Sequence, residues 1–482
     1  VNNAIRHTWV VSVAMFVTLF AALSIIQVAL TEDLNSDPNN ARQIYNDRGA
    51  PRGAITVDGS PIAESVPAEN SNFDYQRVYH DPELYFGITG FYPVAAHPTG
   101  LERELNEYLS GHSDSQFFDR MTSLFTGETL EGAQVELTLD PDLQRQAYDL
   151  IPEGQRGSIV VQEVDTGNIV SMASRPSYDT NALATHSTEE YNATIAELED
   201  SEDVSPYYFR PINSTIAPGS VFKLVDLAAM LESGDYDPDT VLENPSELEL
   251  PDSDRTLPNF TTGICHQQTE SDLTWIVAQS CNTPFGEAAM DLGEGPLRET
   301  AEDFGWNQDL DIPLSTSTSA FPETTSQADL VYSSIGQGSV TATPLQINMV
   351  SQAIANGGTV MHPNLVDSIR GSDLQLLEQP EPDVLGEAVS EDVASEMTEM
   401  MEAVVQEGTG QSAQSSSFDI AAKTGTAETG TEGRVHTWIT GFAPADDPQY
   451  AVTVVYENID YETGHSMTGP QMRQMLEAVI EP

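Results

Sequence analysis

Residues 214–234, STIAPGSVFKLVDLAAMLESG, hold one of only two lysines in a chain of 482 residues that carries sixteen arginines. From Val221 onward apolar residues recur at helical spacing, and Gly234 supplies a stop. Pro218 and Gly219 precede this helix, so Ser220 and Lys223 stand at its start. Three positions apart on one face, their Cβ atoms are about 5–6 Å from each other. A hydroxyl is a poor nucleophile until a neighbour removes its proton. Lysine can do this once burial or nearby positive charge lowers its pKa, whereas arginine stays protonated. A chain that otherwise uses Arg has kept Lys where a removable proton is needed.

The second lysine, Lys423, lies in AAKTGTAE (421–428). As a strand, this segment would put Lys423 and Gly425 on one side and Thr424 on the other. Gly425 would let a substrate backbone lie close to the strand edge. The ammonium, with the hydroxyls of Thr424 and Thr426, suits a terminal carboxylate. A third element is AQSCNT (278–283), where the Ser280 hydroxyl can relay a proton and the Asn282 amide can hold a peptide group. Each motif alone is weak, since Ser-x-x-Lys and Ser-x-Asn arise by chance on helix faces and in turns. Their order, with both lysines inside the set, is what carries weight.

Composition bounds the rest. The chain has 76 acidic against 18 basic residues, a formal net charge of −58, which repels nucleic acid and sets that partner aside. The plainest reading of the acidity is a composition suited to salt, or a bias toward Arg over Lys. Thr8 to Leu30 contains no charged residue and is long enough to cross a bilayer. No convincing small-x-small cleavage site follows, so an uncleaved single-pass anchor is expected. Arg6 before it and Glu32 and Asp33 after it favour a cytoplasmic N-terminus, with the catalytic region outside the cell membrane. Cys265 and Cys281 then lie where oxidation is permitted, and a bridge is expected, with two free thiols as the alternative.

The expected organisation is a cytoplasmic tail (1–7), the anchor (8–30), a small non-catalytic α+β domain (31–132) and a catalytic domain (133–482). In the last, a strand ends at Asp140, and Pro141 opens a helix. GSIVVQEVDTGNIVSMAS reads as two strands around a turn at 165–168. Two more strands follow the Lys-Thr-Gly segment, and GPQMRQMLEAVI is a closing helix. The fold class is therefore α/β (α+β), a mainly antiparallel sheet flanked by helices. Residues 81–111 mix turns with a short amphipathic helix.

Ser-x-x-Lys, Ser-x-Asn and Lys-Thr-Gly in this order resemble the motif set of β-lactamases and penicillin-binding proteins. DRGAPRGAITVDGSPIAES (47–65), TGLERELNEYLSG (99–111), TLDPDLQRQAYDLI (138–151), ASRPSYDTN (173–181) and IGQGSVTATPLQ (335–346) are similar to segments of class B penicillin-binding proteins. The chain most resembles the actinobacterial penicillin-binding protein A group, since little sequence follows Gly425 and no add-on domain fits there.

The resemblance implies a serine-type D,D-transpeptidase that cross-links peptidoglycan stem peptides and is acylated by β-lactam antibiotics. Ser220 would be the nucleophile, Lys223 the base and Ser280 the proton relay. Asn282, Lys423, Thr424, Gly425 and Thr426 would bind substrate, and the N–H groups of Ser220 and Thr426 would form the oxyanion hole. No metal or organic cofactor is implied. Divisome or glycosyltransferase partners are. The alternatives are a β-lactam hydrolase or sensor on the same fold, for which no deacylating carboxylate motif stands out, and a non-catalytic divisome scaffold.

Other residues have plainer readings. None of the nine histidines pairs with another at helical spacing, so no metal site is assigned. His436 is expected to pack in a hairpin, and Glu428 to make local ion pairs at a turn. Asp179 and Asn181 are expected to form a turn, and Gly219 to keep the approach to Ser220 open. Arg52 and Gly53 are expected to brace the first domain against the second.

Overall fold

The computed structural model describes residues 2–26, 51–68, 73–94, 96–117, 121, 131–201, 203–251, 253–259, 263–310 and 312–481. Helix α1 (Asn2–Ser24) is exposed from Asn3 onward, and its stretch Asn3–Ser24 is long and apolar enough to cross a membrane. The remainder of the expected anchor, residues 27–30, and Glu32 and Asp33 lie outside the described residues.

In chain order the strands that build the two main sheets begin with β1 (Ile55–Val57), β2 (Ser60–Pro67), β3 (Tyr75–Tyr79) and β4 (Gln134–Leu137). Next come β5 (Arg156–Glu163), β6 (Ile169–Arg175), β7 (Val366–Arg370) and β8 (Leu376–Glu378). Last are β9 (Ala421–Glu428), β10 (Arg434–Ala443) and β11 (Tyr450–Asp460).

The first sheet has the order β8-β7-β4-β1-β2-β3, antiparallel except for the parallel pair β1 and β4. Its members come from both ends of the sequence, so strands far beyond residue 132 complete it. Arg52 and Arg77 both pair with Glu102, each through Nε at 2.5 Å, and all three side chains are buried. The brace expected from Arg52 is therefore made inside this N-terminal unit, because its acidic partner lies fifty residues on in the same unit. Asn181 does more than turn the chain. Its amide donates to the Tyr79 carbonyl at 2.9 Å and accepts from the Tyr79 N–H at 2.8 Å, extending the β3 edge. Residues 81–111 form three short helices, Pro82–Thr89, Gly100–Glu104 and Asn106–Leu109, the first stopped by Gly90 at φ +66°.

The second sheet is antiparallel throughout, in the order β9-β10-β11-β5-β6. Strand β11 is central, with Ala451 to Tyr456 buried on both faces, as its run of Val and Ala requires. Strand β9 is an edge, so half its main-chain groups face away from the ladder.

The helices that frame the site are α2 (Lys223–Glu232), α3 (Leu273–Gln279), α4 (Thr283–Leu292) and α5 (Glu294–Asp303). Beyond them come α6 (Pro344–Ala355), α7 (Glu391–Gln406) and α8 (Tyr461–Ile480). Helices α6 and α8 pack on β10 and β11, and α7 packs on β9. Thr343 caps α6 and Pro344 takes its first turn, where a missing N–H costs nothing. Its buried Gln346, Gln352 and Ser351 are satisfied by Phe304 O, Val164 O and Thr440 Oγ1. Helix α2 is buried on every side from Lys223 to Leu231, which fits its nearly continuous apolar sequence.

Candidate active site

Ser220 sits in a single 3-10 turn, Gly219–Val221, that leads into α2. The turn lies against the free edge of β9. A Cβ on Gly219 (φ +56°) would stand 2.4 Å from the Thr426 carbonyl oxygen, and a Cβ on Gly336 would stand 2.1 Å from the Gly219 carbonyl oxygen. Gly219 therefore does more than keep the approach open, because only a residue without a side chain lets this turn reach the strand. Gly219→Ala is expected to push Thr426 away and lower the acylation rate about 100-fold, as misplacements near 1 Å do. The rate of labelling by a fluorescent penicillin would read this. A rate within threefold of wild type would show that the contact is not needed.

Gly425 has the same role from the other side. A Cβ there would meet Val221 Cγ1 at 2.9 Å and Pro218 O at 3.0 Å. The close approach expected of a substrate backbone at Gly425 is thus taken by the Ser220 turn itself. The Thr426 carbonyl accepts from Gln337 Nε2 at 3.5 Å, away from β10. N–H and C=O of one residue in an antiparallel strand point the same way, so the Thr426 N–H also faces the Ser220 turn.

Both lysines converge on the loop 280–282. Lys423 Nζ donates to Ser280 Oγ at 2.7 Å and to the Thr424 carbonyl at 3.0 Å. Lys223 Nζ donates to the carbonyls of Ser280 at 2.8 Å and Cys281 at 2.9 Å, and to Asn282 Oδ1 at 2.7 Å. No hydrogen bond joins Lys223 to Ser220 Oγ among the described residues. The expected direct pair gives way to loop acceptors that surround the amine. Thr424 stands on the opposite face, its hydroxyl paired with that of Thr409 at 2.6 Å. Strand alternation turns its side chain away from Lys423, and only its carbonyl, which accepts from Lys423, faces the loop 280–282 side.

The electrostatics of the two amines differ. Burial pushes Lys223 well below the usual lysine range, the positive charge of Lys423 pushes it further, and Asp226 opposes both. Burial lowers Lys423 to about 7. Three acceptors around Lys223 suit an ammonium, whereas its burial beside Lys423 favours the neutral amine. Desolvation with a like charge is the stronger influence here, and it favours the neutral amine at Lys223.

The loop is held from below. Ser280 adopts the left-handed conformation at φ +59°, an uncommon state for a residue with a side chain. Cys281 is bonded to Cys265, as expected from their compartment. Buried Asn259 accepts from the Asn282 N–H at 2.6 Å and donates to Asn244 Oδ1 at 2.7 Å. Asn244 in turn donates to the carbonyls of Cys265 and Gln268, both at 2.9 Å.

Sequence reasoning missed Asn244, Asn259, Thr409 and Gln337. The first three lie in loops without periodicity. Gln337 sat between two glycines in IGQGSVTATPLQ, which was a usable signal. His436 packs in the hairpin as expected, with Nδ1 accepting from the Asn458 N–H at 3.3 Å and burial lowering it to about 4. Glu428 is exposed and makes no ion pair among the described residues, because Arg434 across the turn donates to the Asn458 carbonyl instead.

A family model for the penicillin binding protein transpeptidase domain matches residues 157–477, and one for the penicillin binding protein A dimerisation domain matches residues 52–135. The chain is 37% identical to peptidoglycan D,D-transpeptidase PbpA of Mycolicibacterium smegmatis, over 99% of both chains. It is 34% identical to PbpA of Mycobacterium tuberculosis, over 100% of this chain and 99% of that one. The ceftriaxone acyl-enzyme complex of penicillin-binding protein A from M. tuberculosis is similar at a TM-score of 0.85 and 34% identity, covering 90% of this chain and 99% of that one. A full-length match in sequence and fold, joined to two lysines that meet at one loop beside a serine turn, places the chain among the class B penicillin-binding proteins, the peptidoglycan D,D-transpeptidases.

Proposed function

We propose that Ser220 carries the acyl group. Its Oγ attacks the D-Ala–D-Ala carbonyl of a donor stem peptide while Lys223 Nζ takes the hydroxyl proton. Electrons of the carbonyl move to an oxyanion held by the N–H groups of Ser220 and Thr426, each such donor being worth about 3–4 kcal/mol. The C–N bond then breaks, and terminal D-Ala leaves with a proton delivered through Ser280. An amine of a second stem peptide attacks the ester, forms the cross-link and restores the hydroxyl. Lys423 and Thr426 hold the terminal carboxylate, and Asn282 positions the donor peptide. When Asn282 Oδ1 turns to the donor, Lys223 loses one of its three acceptors and is released toward Ser220. β-Lactams acylate the same serine in this reading, which the acyl-enzyme complexes of the M. tuberculosis relative support.

The observation that carries the reading is the convergence of both lysines on residues 280–282, with the Ser220 turn pressed against β9. Mass spectrometry of the penicillin adduct tests it. The acylated peptide should contain Ser220, and an adduct mapped elsewhere would overturn the assignment.

The proposed membrane arrangement has residues 1–7 cytoplasmic, 8–30 in the bilayer, and the regions 31–132 and 133–482 outside. The exposed apolar surface of α1 and Arg6 before its centre support it. Protease added to spheroplasts should digest the catalytic region, and full protection would reverse the orientation. We assign the activity to wall synthesis at division, with glycosyltransferase or divisome partners. Depletion that leaves septal wall labelling intact would rule that role out.

A further inference from the structure

Helix α2 contains a carboxyl group that the reaction above does not use. Asp226 follows Lys223 by three residues, on the same helical face, with Cβ atoms about 5–6 Å apart. It is 0% exposed in the middle of an apolar run, and both carboxyl oxygens lack a hydrogen-bond partner among the described residues. The hydroxyl of Ser334 approaches the carboxyl but gives its hydrogen to the Val331 carbonyl at 3.0 Å. An unpaired buried carboxyl costs several kcal/mol of stability when charged, so its place here needs a reason.

We propose that Asp226 is a positioning residue that supplies the internal counter-charge for the ammonium formed when Lys223 takes the proton of Ser220. The proposal rests on Lys223 as the base. During acylation the proton passes from Ser220 Oγ to Lys223 Nζ, and a new positive charge appears at the loop 280–282, where Lys423 also ends. Carboxylate at 226 offsets that charge without touching substrate, so the pair passes from one net negative charge to none as the amine takes the proton.

Few other charges face this pair. Lys423 on β9 acts on Lys223, and the phenol of Tyr236, just past α2, feels Asp226. Helices α4, α5 and α7 pack against α2, and their buried side chains include Phe285, Leu297, Thr300 and Met397. Their charged residues are at most half-buried: Glu287, Glu294, Arg298, Glu302, Glu396 and Glu402, with the rest exposed. Burial pushes the Asp226 carboxyl well up, the Ser334 hydroxyl and Lys223 pull it back, and Asp226 in turn raises Lys223. The pair therefore titrates together.

Asp226→Asn keeps the shape and removes the charge. The acylation rate rises with pH as Lys223 becomes the free amine, and an opposite charge at this range raises an amine pKa by about one to three units. Its loss should move the acid limb of the acylation rate to lower pH by about one unit or more. The plateau rate should fall about tenfold, because the less basic amine is the weaker base. Stopped-flow labelling with a fluorescent penicillin, from pH 5 to 10 on the full chain, reads both. The limb position does not depend on how much of the sample is folded, and Asp226→Thr gives the same reading should the asparagine variant not accumulate.

A merely structural carboxyl would change the melting temperature and leave the limb in place. Superimposable limbs, or a shift to higher pH, would overturn the proposal. An adduct found on Ser220 with an unmoved limb would remove the role of Asp226 alone, whereas an adduct found elsewhere would remove the reading of the site beneath it.

Discussion

Replacing Lys223 with arginine is expected to slow acylation by β-lactams about 10³-fold or more, the range lost when a general base is removed. Arginine keeps the positive charge and can still donate to the carbonyls of Ser280 and Cys281, so the loop should remain in place. What it cannot do is give up a proton and accept another near neutral pH. The substitution therefore separates holding the loop, which Lys223 does through three acceptors, from taking the proton, which the proposed mechanism assigns to the same nitrogen. Ser220→Ala should lose at least as much, and the double variant should be no slower, because nucleophile and base act as a unit. Second-order labelling rates for the four proteins check this. A Lys223→Arg rate within tenfold of wild type would move the base to another group.

Truncating Glu102 to alanine is expected to destabilise the chain by about 3–5 kcal/mol, the usual cost of breaking a buried ion pair by removing one partner. The reason lies in what remains. Arg52 and Arg77 would stay buried, each having lost its carboxylate, and Arg77 Nη2 already has no partner among the described residues. Backbone carbonyls of Glu102 and Gly53 would still accept from them at 2.5 and 2.8 Å, which moderates the loss without neutralising either charge. Burial pushes the Glu102 carboxyl up, but the charges of Arg77 and then Arg52 more than reverse this and hold it below the ordinary range. A depressed carboxylate contributes fully above its unfolded pKa of about 4.3 and loses that contribution as pH falls through the folded value. The wild-type advantage should thus be level at neutral pH and fade only in acid. Urea melts at pH 7 and pH 3 measure both, and a difference under 1 kcal/mol at pH 7 would show that the triad is not holding the unit together.

Much of the site was legible because its parts are short and chemically marked. Two lysines in an arginine-using chain pointed to 223 and 423, and the Ser-x-Asn spacing of Ser280 and Asn282 pointed to the loop between them. The central strands read correctly because Val and Ile runs bounded by turns admit little else. The pattern failed where polar residues act across long separations. Asn259 carries no periodicity that announces a bond to Asn282, and nothing local tells Thr424 that Thr409 will claim its hydroxyl. Asp226 is different. A carboxylate inside KLVDLAAML was visible as an exception to the apolar face, but on an amphipathic helix it would simply have faced water. Burial of every side of α2 is a property of the packed molecule. The Lys223 contacts were missed for a related reason, since helical spacing measures what a side chain can reach and not which acceptor competes best.

The first sheet contains strands from residues 55–79, 134–137 and 366–378. Residues 55–79 therefore share one hydrogen-bonded ladder with strands from the far half of the sequence, and neither part can be pulled away without loading the other. Force applied at residue 51 would load these interleaved strands in shear. Optical-tweezer pulling between residue 51 and the C-terminal helix should give one cooperative rip, and two separated events would mean that the two parts yield independently.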